Sequence, residues 1–315
     1  MRPFLRSRLL PCGASLRRVA TASAAVAALV AFVASAQAQL DLGGVTVEYA
    51  AAGNVSDPPP GADGLALETT TLRAGGVVPV PLNEQRILLF GLAYTLVVPD
   101  ASGVADADPP EFHEIGLSVG LLTPLSDRWR LIAQVAPSLA SDFRDLSVEA
   151  LNLRGIAVAS WTRSPELSLS FGLAASYQLG RLLPLPVLRM RWQPDERTFI
   201  DIGIPTGIRT ARRLGDRIEV GGRIRLTGGR YDVGDTERSP TDSVRTTTVD
   251  AGPTLAVRLR GPLWFEAFAG YTLFRNFELF EDAGDSLFDS TIDNALVVQT
   301  GIVLRPPRRR DSARR

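Results

Sequence analysis

From residue 44 onward the chain is a succession of short segments in which bulky apolar side chains alternate strictly with small or polar ones. In the clearest, Leu88, Phe90, Leu92, Tyr94 and Leu96 share one face while Leu89, Gly91, Ala93 and Thr95 share the other. Ile115, Leu117, Val119 and Leu121 stand opposite Glu114, Gly116, Ser118 and Gly120. Leu167, Leu169, Phe171, Leu173, Ala175 and Tyr177 do the same against Ser168, Ser170, Gly172, Ala174 and Ser176, and Ile218 to Leu226 repeat it against Glu219, Arg223 and Arg225. Period-two alternation means strands with two unlike faces. Many such strands with no helix between them make an all-β chain. The apolar face then looks either into the core of a sandwich or out into lipid.

The connections favour lipid. Strands are expected at 44–52, 65–73, 86–98, 112–122, 129–139, 150–162, 167–178, 182–192, 198–204, 206–212, 217–231, 245–259, 264–275 and 292–305. Short turns at 83–85, 123–128, 163–166, 193–197, 213–216 and 260–263 largely alternate with longer polar loops at 53–64, 99–111, 140–149, 232–244 and 276–291. That is the pattern of an antiparallel transmembrane β-barrel of the outer-membrane kind. An even strand count requires a break at Pro205 and gives about 14 strands. The two strands flanking Pro205 are shorter than the roughly 9–11 residues of a tilted spanning strand, which leaves 12 as the alternative.

Aromatic residues sort by end. Trp129, Trp161, Trp192 and Trp264 sit beside short turns, whereas Tyr49, Tyr94, Tyr177, Tyr231 and Tyr271 fall in the opposite strand halves. Rings with an apolar body and a polar handle collect where bilayer meets water, so two girdles are expected. On this pattern Trp161 and Trp264 fall on the face assigned to the lumen.

The start of the chain reads as an export signal. Arg2, Arg6, Arg8, Arg17 and Arg18 form a basic region, Val19–Val33 an apolar stretch, and Ala36-Gln37-Ala38 a small-x-small cleavage site. The expected organisation is a signal peptide over 1–38, a barrel over 39–305 and a basic tail over 306–315. Cleavage removes five of the 34 basic residues and none of the 34 acidic ones, leaving 29 against 34 and a net charge of −5. Nucleic acid is therefore not an expected partner. Cleavage also removes Cys12, the only cysteine, and with it any disulfide or thiolate metal site. No cofactor is expected. The partners expected of such a barrel are outer-membrane lipid, lipopolysaccharide and the barrel-assembly machinery.

Three groups of residues carry candidate chemistry. Arg130, Glu219, Arg223, Arg225, Asp250 and Arg258 are the lumen-lining candidates, joined by Glu266; such charges either set ion preference or pair and plug a narrow barrel. His113, the only histidine, begins a strand beside Glu114, with Ser141 and Asp142 on a neighbouring hairpin, and is the centre of an alternative hydrolase reading. Acidic clusters lie in two loops: Asp232, Asp235, Glu237 and Asp242, then Glu278, Glu281, Asp282, Asp285, Asp289 and Asp293. Their spacing fits no calcium-binding repeat, and a solvated loop explains them. The function expected is a passive pore or a structural or binding barrel.

Three segments carry a family resemblance: Ala136 to Phe143 (APSLASDF), Leu183-Pro184-Leu185-Pro186 leading to Trp192-Gln193-Pro194, and Gly228-Gly229-Arg230-Tyr231. On these the chain resembles a family of bacterial outer-membrane β-barrel proteins known only as a domain of unknown function. The resemblance spans nearly the whole mature chain and implies a location and an architecture, with no catalytic motif. One departure stands out. Barrels of this kind usually end in a strand with a terminal aromatic, whereas here the last strand ends at Leu304 and Arg305-Pro306-Pro307-Arg308-Arg309-Arg310 follow.

Overall fold

The computed structural model describes residues 42–58, 62–103, 109–144, 150–178, 181–233, 243–281 and 285–305. The expected signal peptide, 1–38, and the expected tail from 306 lie outside these residues.

Fifteen strands form a single sheet. They are β1 (Gly43–Asn54), β2 (Ala66–Pro81), β3 (Ile87–Ser102), β4 (Phe112–Pro124), β5 (Trp129–Ser141), β6 (Leu151–Ser164), β7 (Leu167–Gln178), β8 (Arg181–Trp192), β9 (Thr198–Ile204), β10 (Gly207–Leu214), β11 (Ile218–Asp232), β12 (Ser243–Arg260), β13 (Leu263–Glu281), β14 (Asp285–Thr291) and β15 (Leu296–Leu304). Each strand from β1 to β13 pairs antiparallel with the next, and β15 joins β13 to β1, closing the sheet on itself. The expected 14 positions are all present. Closure pairs every strand with a neighbour on both sides along at least part of its length, as a sheet crossing lipid requires.

Fifteen strands fill fourteen positions because the last is split. β15 pairs with β13 over Leu263–Tyr271, and β14 takes over along Asn276–Glu281. At the join, the Thr272 hydroxyl accepts from the Ala295 amide at 2.7 Å and the Ile292 amide donates to the Arg275 carbonyl at 3.0 Å. The chain leaves the wall between 291 and 296 without stranding its polar groups. Sequence reading placed β14 inside a loop: its Asp285-Ser286-Leu287-Phe288-Asp289-Ser290-Thr291 is too polar to alternate cleanly.

The apolar faces look outward. Leu92, Leu117, Phe171, Leu173 and Ile224 are exposed at 47, 59, 46, 63 and 41%. An apolar exterior this continuous is a lipid-facing surface. Inward, small polar groups bond across the wall, as Ser160 and Ser170 do at 2.8 Å. Trp161 is cross-strand partner to Trp129 and stacks on it with ring centroids 6.3 Å apart, on the same outward face as Leu151 and Leu153. That corrects its expected placement in the lumen and strengthens the Trp girdle. Tyr231 is corrected in the other direction. It is 5% exposed, inside the barrel, stacked on Phe112 at 5.1 Å, and so belongs to no girdle.

At the long-loop end the barrel is pinched. The end of β11 reaches across the interior to β5, where Asp232 and Ser141 form a parallel bridge and the Asp142 amide donates to the Asp232 carbonyl at 3.2 Å. Phe112, Ala140, Tyr231 and Val244 pack together beneath this contact, with Val97, Phe277 and Leu279 around them.

Candidate functional site

The interior is layered, and each layer follows from which alternate residues of the strands turn inward. Beneath the pinch lies a cavity of about 570 Å³. Its upper wall is apolar, from Phe112, Tyr231, Val244 and Phe277, and its lower wall is a set of threonines that includes Thr71, Thr95, Thr246 and Thr248. β-Branched hydroxyl residues suit a strand and present both a methyl and an oxygen to the space.

Ion pairs make the floor. Arg225 on β11 donates from Nε and Nη2 to Asp250 Oδ2 at 3.1 and 2.7 Å, and also reaches Glu48 on β1, across the interior. Arg223, two residues back and on the same face, lies 3.5 Å from Asp250 and 3.8 Å from the centre of the Phe268 ring. Arg73 on β2 approaches Glu48 at 3.5 Å. Asp250 is 2% exposed and Glu48 12%, so these carboxylates are held away from water, with guanidinium groups around them. Three guanidinium groups face two carboxylates.

A second charged layer lies nearer the short-turn end. Glu219 accepts from Arg213 at 3.0 Å and from Arg305 at 2.6 Å. Arg305 also pairs with Glu266, which Arg209 approaches at 3.9 Å, and its guanidinium sits 4.9 Å from the Trp264 ring centre. Here too three guanidinium groups meet two carboxylates. A further cluster on the wall joins Arg189, bidentate to Asp201 at 2.6 and 2.6 Å, and Arg191 at 3.1 Å to the same carboxylate.

The lumen-lining candidates therefore fall in three places. Arg223, Arg225 and Asp250 meet in the floor, and Glu219 lies in the second layer. Arg130 and Arg258 are on inward positions at the short-turn mouth: Arg130 is exposed, and Arg258 donates to the Gly261 carbonyl at 2.8 Å. Glu48, Arg73 and Arg305 escaped the sequence reading. Glu48 could have been found, because it occupies the small-residue face of β1 between Thr46 and Ala50. Arg305 could not, because it is the last residue of the expected barrel and merges with the run of arginines that follows.

His113 points away from the cavity, since its neighbours Phe112 and Glu114 line that space. Its Nδ1 shares a hydrogen bond with the Tyr94 hydroxyl at 2.9 Å, and its ring meets Phe143 edge-on at 5.5 Å. Ser141 is its cross-strand partner, but the Ser141 hydroxyl accepts from the Phe143 amide at 3.1 Å and turns to Asp142 at 3.5 Å. The hydrolase arrangement is not assembled in this geometry. Of the acidic loop residues, Asp232 is the pinch contact, Glu278 pairs with Arg245 at 3.1 Å and Asp293 accepts from Asn54 at 3.1 Å. Asp235, Glu237, Asp242 and Asp282 lie outside the described residues. Among those described, no group of three or more potential ligand residues is placed to hold a metal ion.

An outer membrane channel from Pseudomonas putida F1 is similar in structure at 12% identity and a TM-score of 0.44, over 86% of this chain and 98% of that one. A Pseudomonas aeruginosa FadL homologue is similar at 12% identity and 0.44, over 84% and 90%. A Rhodopseudomonas blastica porin variant is similar at 10% and 0.29, over 84% and 98%. No curated protein matches the sequence. A family profile does match, over residues 93–305, which include Arg223, Arg225 and Asp250 of the charged floor, the pinch and the strands around Pro205. The chain belongs to the family described as a domain of unknown function, DUF6268.

Proposed function

We propose that the protein is an outer-membrane channel of the restricted kind, whose lumen is held shut at mid-height by ion pairs. The observation that carries this reading is Arg225, which spans the interior to join Glu48 on β1 to Asp250 on β12. Barrels of 16–18 strands leave an aqueous channel, whereas about eight strands are filled by their own side chains. Fourteen positions lie between these cases, so side chains decide whether water passes. Here a pinch narrows the long-loop end and two charged layers cross the rest.

Such a barrel passes small solutes only when the charged layers part. Vesicles carrying the protein should swell slowly in an isotonic solution of a pentose. Vesicles carrying Glu48→Ala with Arg225→Ala should swell markedly faster. Rapid swelling with the unaltered protein would contradict the proposal.

A further inference from the structure

Two strands of the wall stop at half height. β9 ends at Ile204 and β10 begins at Gly207, turning through Pro205 and Thr206. Their outer neighbours run on. β8 pairs with β9 only over Leu188–Trp192, and β11 pairs with β10 only over Ile218–Arg225. Among the described residues, no strand therefore fills the facing sides of 181–187 and 226–231. Two missing strands leave about three inter-strand spacings, roughly 14 Å, along a height of some seven residues, roughly 23 Å.

The β8 edge is built to stay unpaired. Gln193 donates to the Glu166 carbonyl beside β7 at 2.8 Å, and the β7–β8 register runs unbroken from there. Backbone groups alternate between neighbours along a strand, so the even-numbered residues of β8 turn toward the gap. These are Leu182, Pro184 and Pro186, and two of the three have no amide hydrogen to offer. Proline is a standard means of blunting a strand edge. Opposite them, Leu226 donates to the Thr206 carbonyl at 3.3 Å, so Gly228 also faces the gap, with no side chain to close it.

Behind the gap lies the 570 Å³ cavity, bounded on this side by Leu226, Thr227, Gly228 and Gly229. In front of it the wall is lipid-facing, with Leu188 and Leu226 exposed at 46 and 41%. All three segments that carry the family resemblance meet here: one on each edge of the gap, and the third holding the pinch above it through Ser141 and Asp142. The cavity holds one further cation. Arg275 is 4% exposed and donates only to the carbonyls of Ala51 and Leu67, at 3.2 and 3.4 Å; among the described residues no carboxylate pairs with it.

We propose that the gap between β8 and β11 is a lateral portal through which an amphiphile with an apolar chain and a small anionic head moves between the bilayer and this cavity. The apolar upper wall takes the chain, and Arg275 with the threonines takes the head. This goes beyond the conduction reading and does not depend on it.

The test uses single-cysteine variants of the full chain in a Cys12→Ser background, labelled with bimane and placed in vesicles of acyl-brominated phosphatidylcholine. A label at Thr227→Cys, behind the gap, should be quenched nearly as strongly as one at the lipid-facing Leu117→Cys. A label at Thr95→Cys, in the same cavity behind a fully paired wall, should stay bright. Dodecanoate should then shift the Thr227 label at concentrations about tenfold lower than dodecanol does, the difference of one charge-assisted hydrogen bond. Inorganic phosphate alone should leave it unchanged. Equal brightness at 227 and 95 would overturn the portal, and equal affinity for the acid and the alcohol at the Thr227 label would overturn the anionic head.

Discussion

Arg225 and Leu117 mark the two solvents this chain must satisfy. Arg225 holds two buried carboxylates, and Arg225→Ala leaves Glu48 only Arg73 and Asp250 only Arg223, each at 3.5 Å. Breaking a buried pair by deleting one partner costs about 3–5 kcal/mol. Equilibrium unfolding in urea from phospholipid vesicles should show a loss of that order, and a much smaller one for Arg130→Ala, whose side chain is exposed at the mouth. A loss at Arg225 no larger than at Arg130 would mean that the ion pairs do not hold the floor. Leu117 is 59% exposed on the outer face. An Arg there should cost about 2–4 kcal/mol in the same assay, because its charge sits at bilayer depth. An Arg at Ser118, one residue on and facing inward, should cost clearly less, and equal costs would reverse the facing.

At the scale of single elements, the strands were legible wherever alternation was strict, and those are the strands with one face in lipid and one in the interior. Alternation failed in two informative places. β14 pairs with the long-loop end of β13, and its polar Asp285-Ser286 and Asp289-Ser290-Thr291 made its pattern vanish into the acidic loop. The β9–β10 hairpin was expected only because an even count demanded it, and its shortness is the gap in the wall. The charged floor was half legible. Arg223, Arg225 and Asp250 could be placed on inward faces by parity, but parity within a strand cannot say that Glu48, 177 positions away, is the partner. The turn that starts β9 is more local, and readable from its residues. Asp195 accepts from the amides of Arg197 and Thr198, both at 2.6 Å, and from the Thr198 hydroxyl at 3.0 Å, bonds that hold its carboxyl below the usual carboxylate range. A depressed carboxyl stabilises the fold above its unfolded pKa and loses that contribution as pH falls through its folded value. Stability measured from neutral to strongly acid pH should therefore fall less in Asp195→Asn than in the unaltered chain. An unchanged acid limb would show that the turn contributes nothing there.

On the scale of the whole molecule, the inward faces of a barrel with fourteen strand positions carry two charged layers. Each charged layer carries three guanidinium groups against two carboxylates, so the charged interior is net positive. Any current that does pass should favour anions, weakly, and the preference should fade as salt screens the charges. Arg223→Glu with Arg225→Glu should move the reversal potential toward cations. An open, conducting double variant with no shift would show that current bypasses the floor. The central claim is that these side chains, and not the width of the barrel, set the conductance. Single-channel recording in planar bilayers, comparing the unaltered protein with Glu48→Ala, Arg225→Ala, is its most direct test. The account predicts rare, small steps from the unaltered protein and frequent, larger ones from the double variant. Large steady conductance from the unaltered protein, or steps of the same size from both, would contradict it.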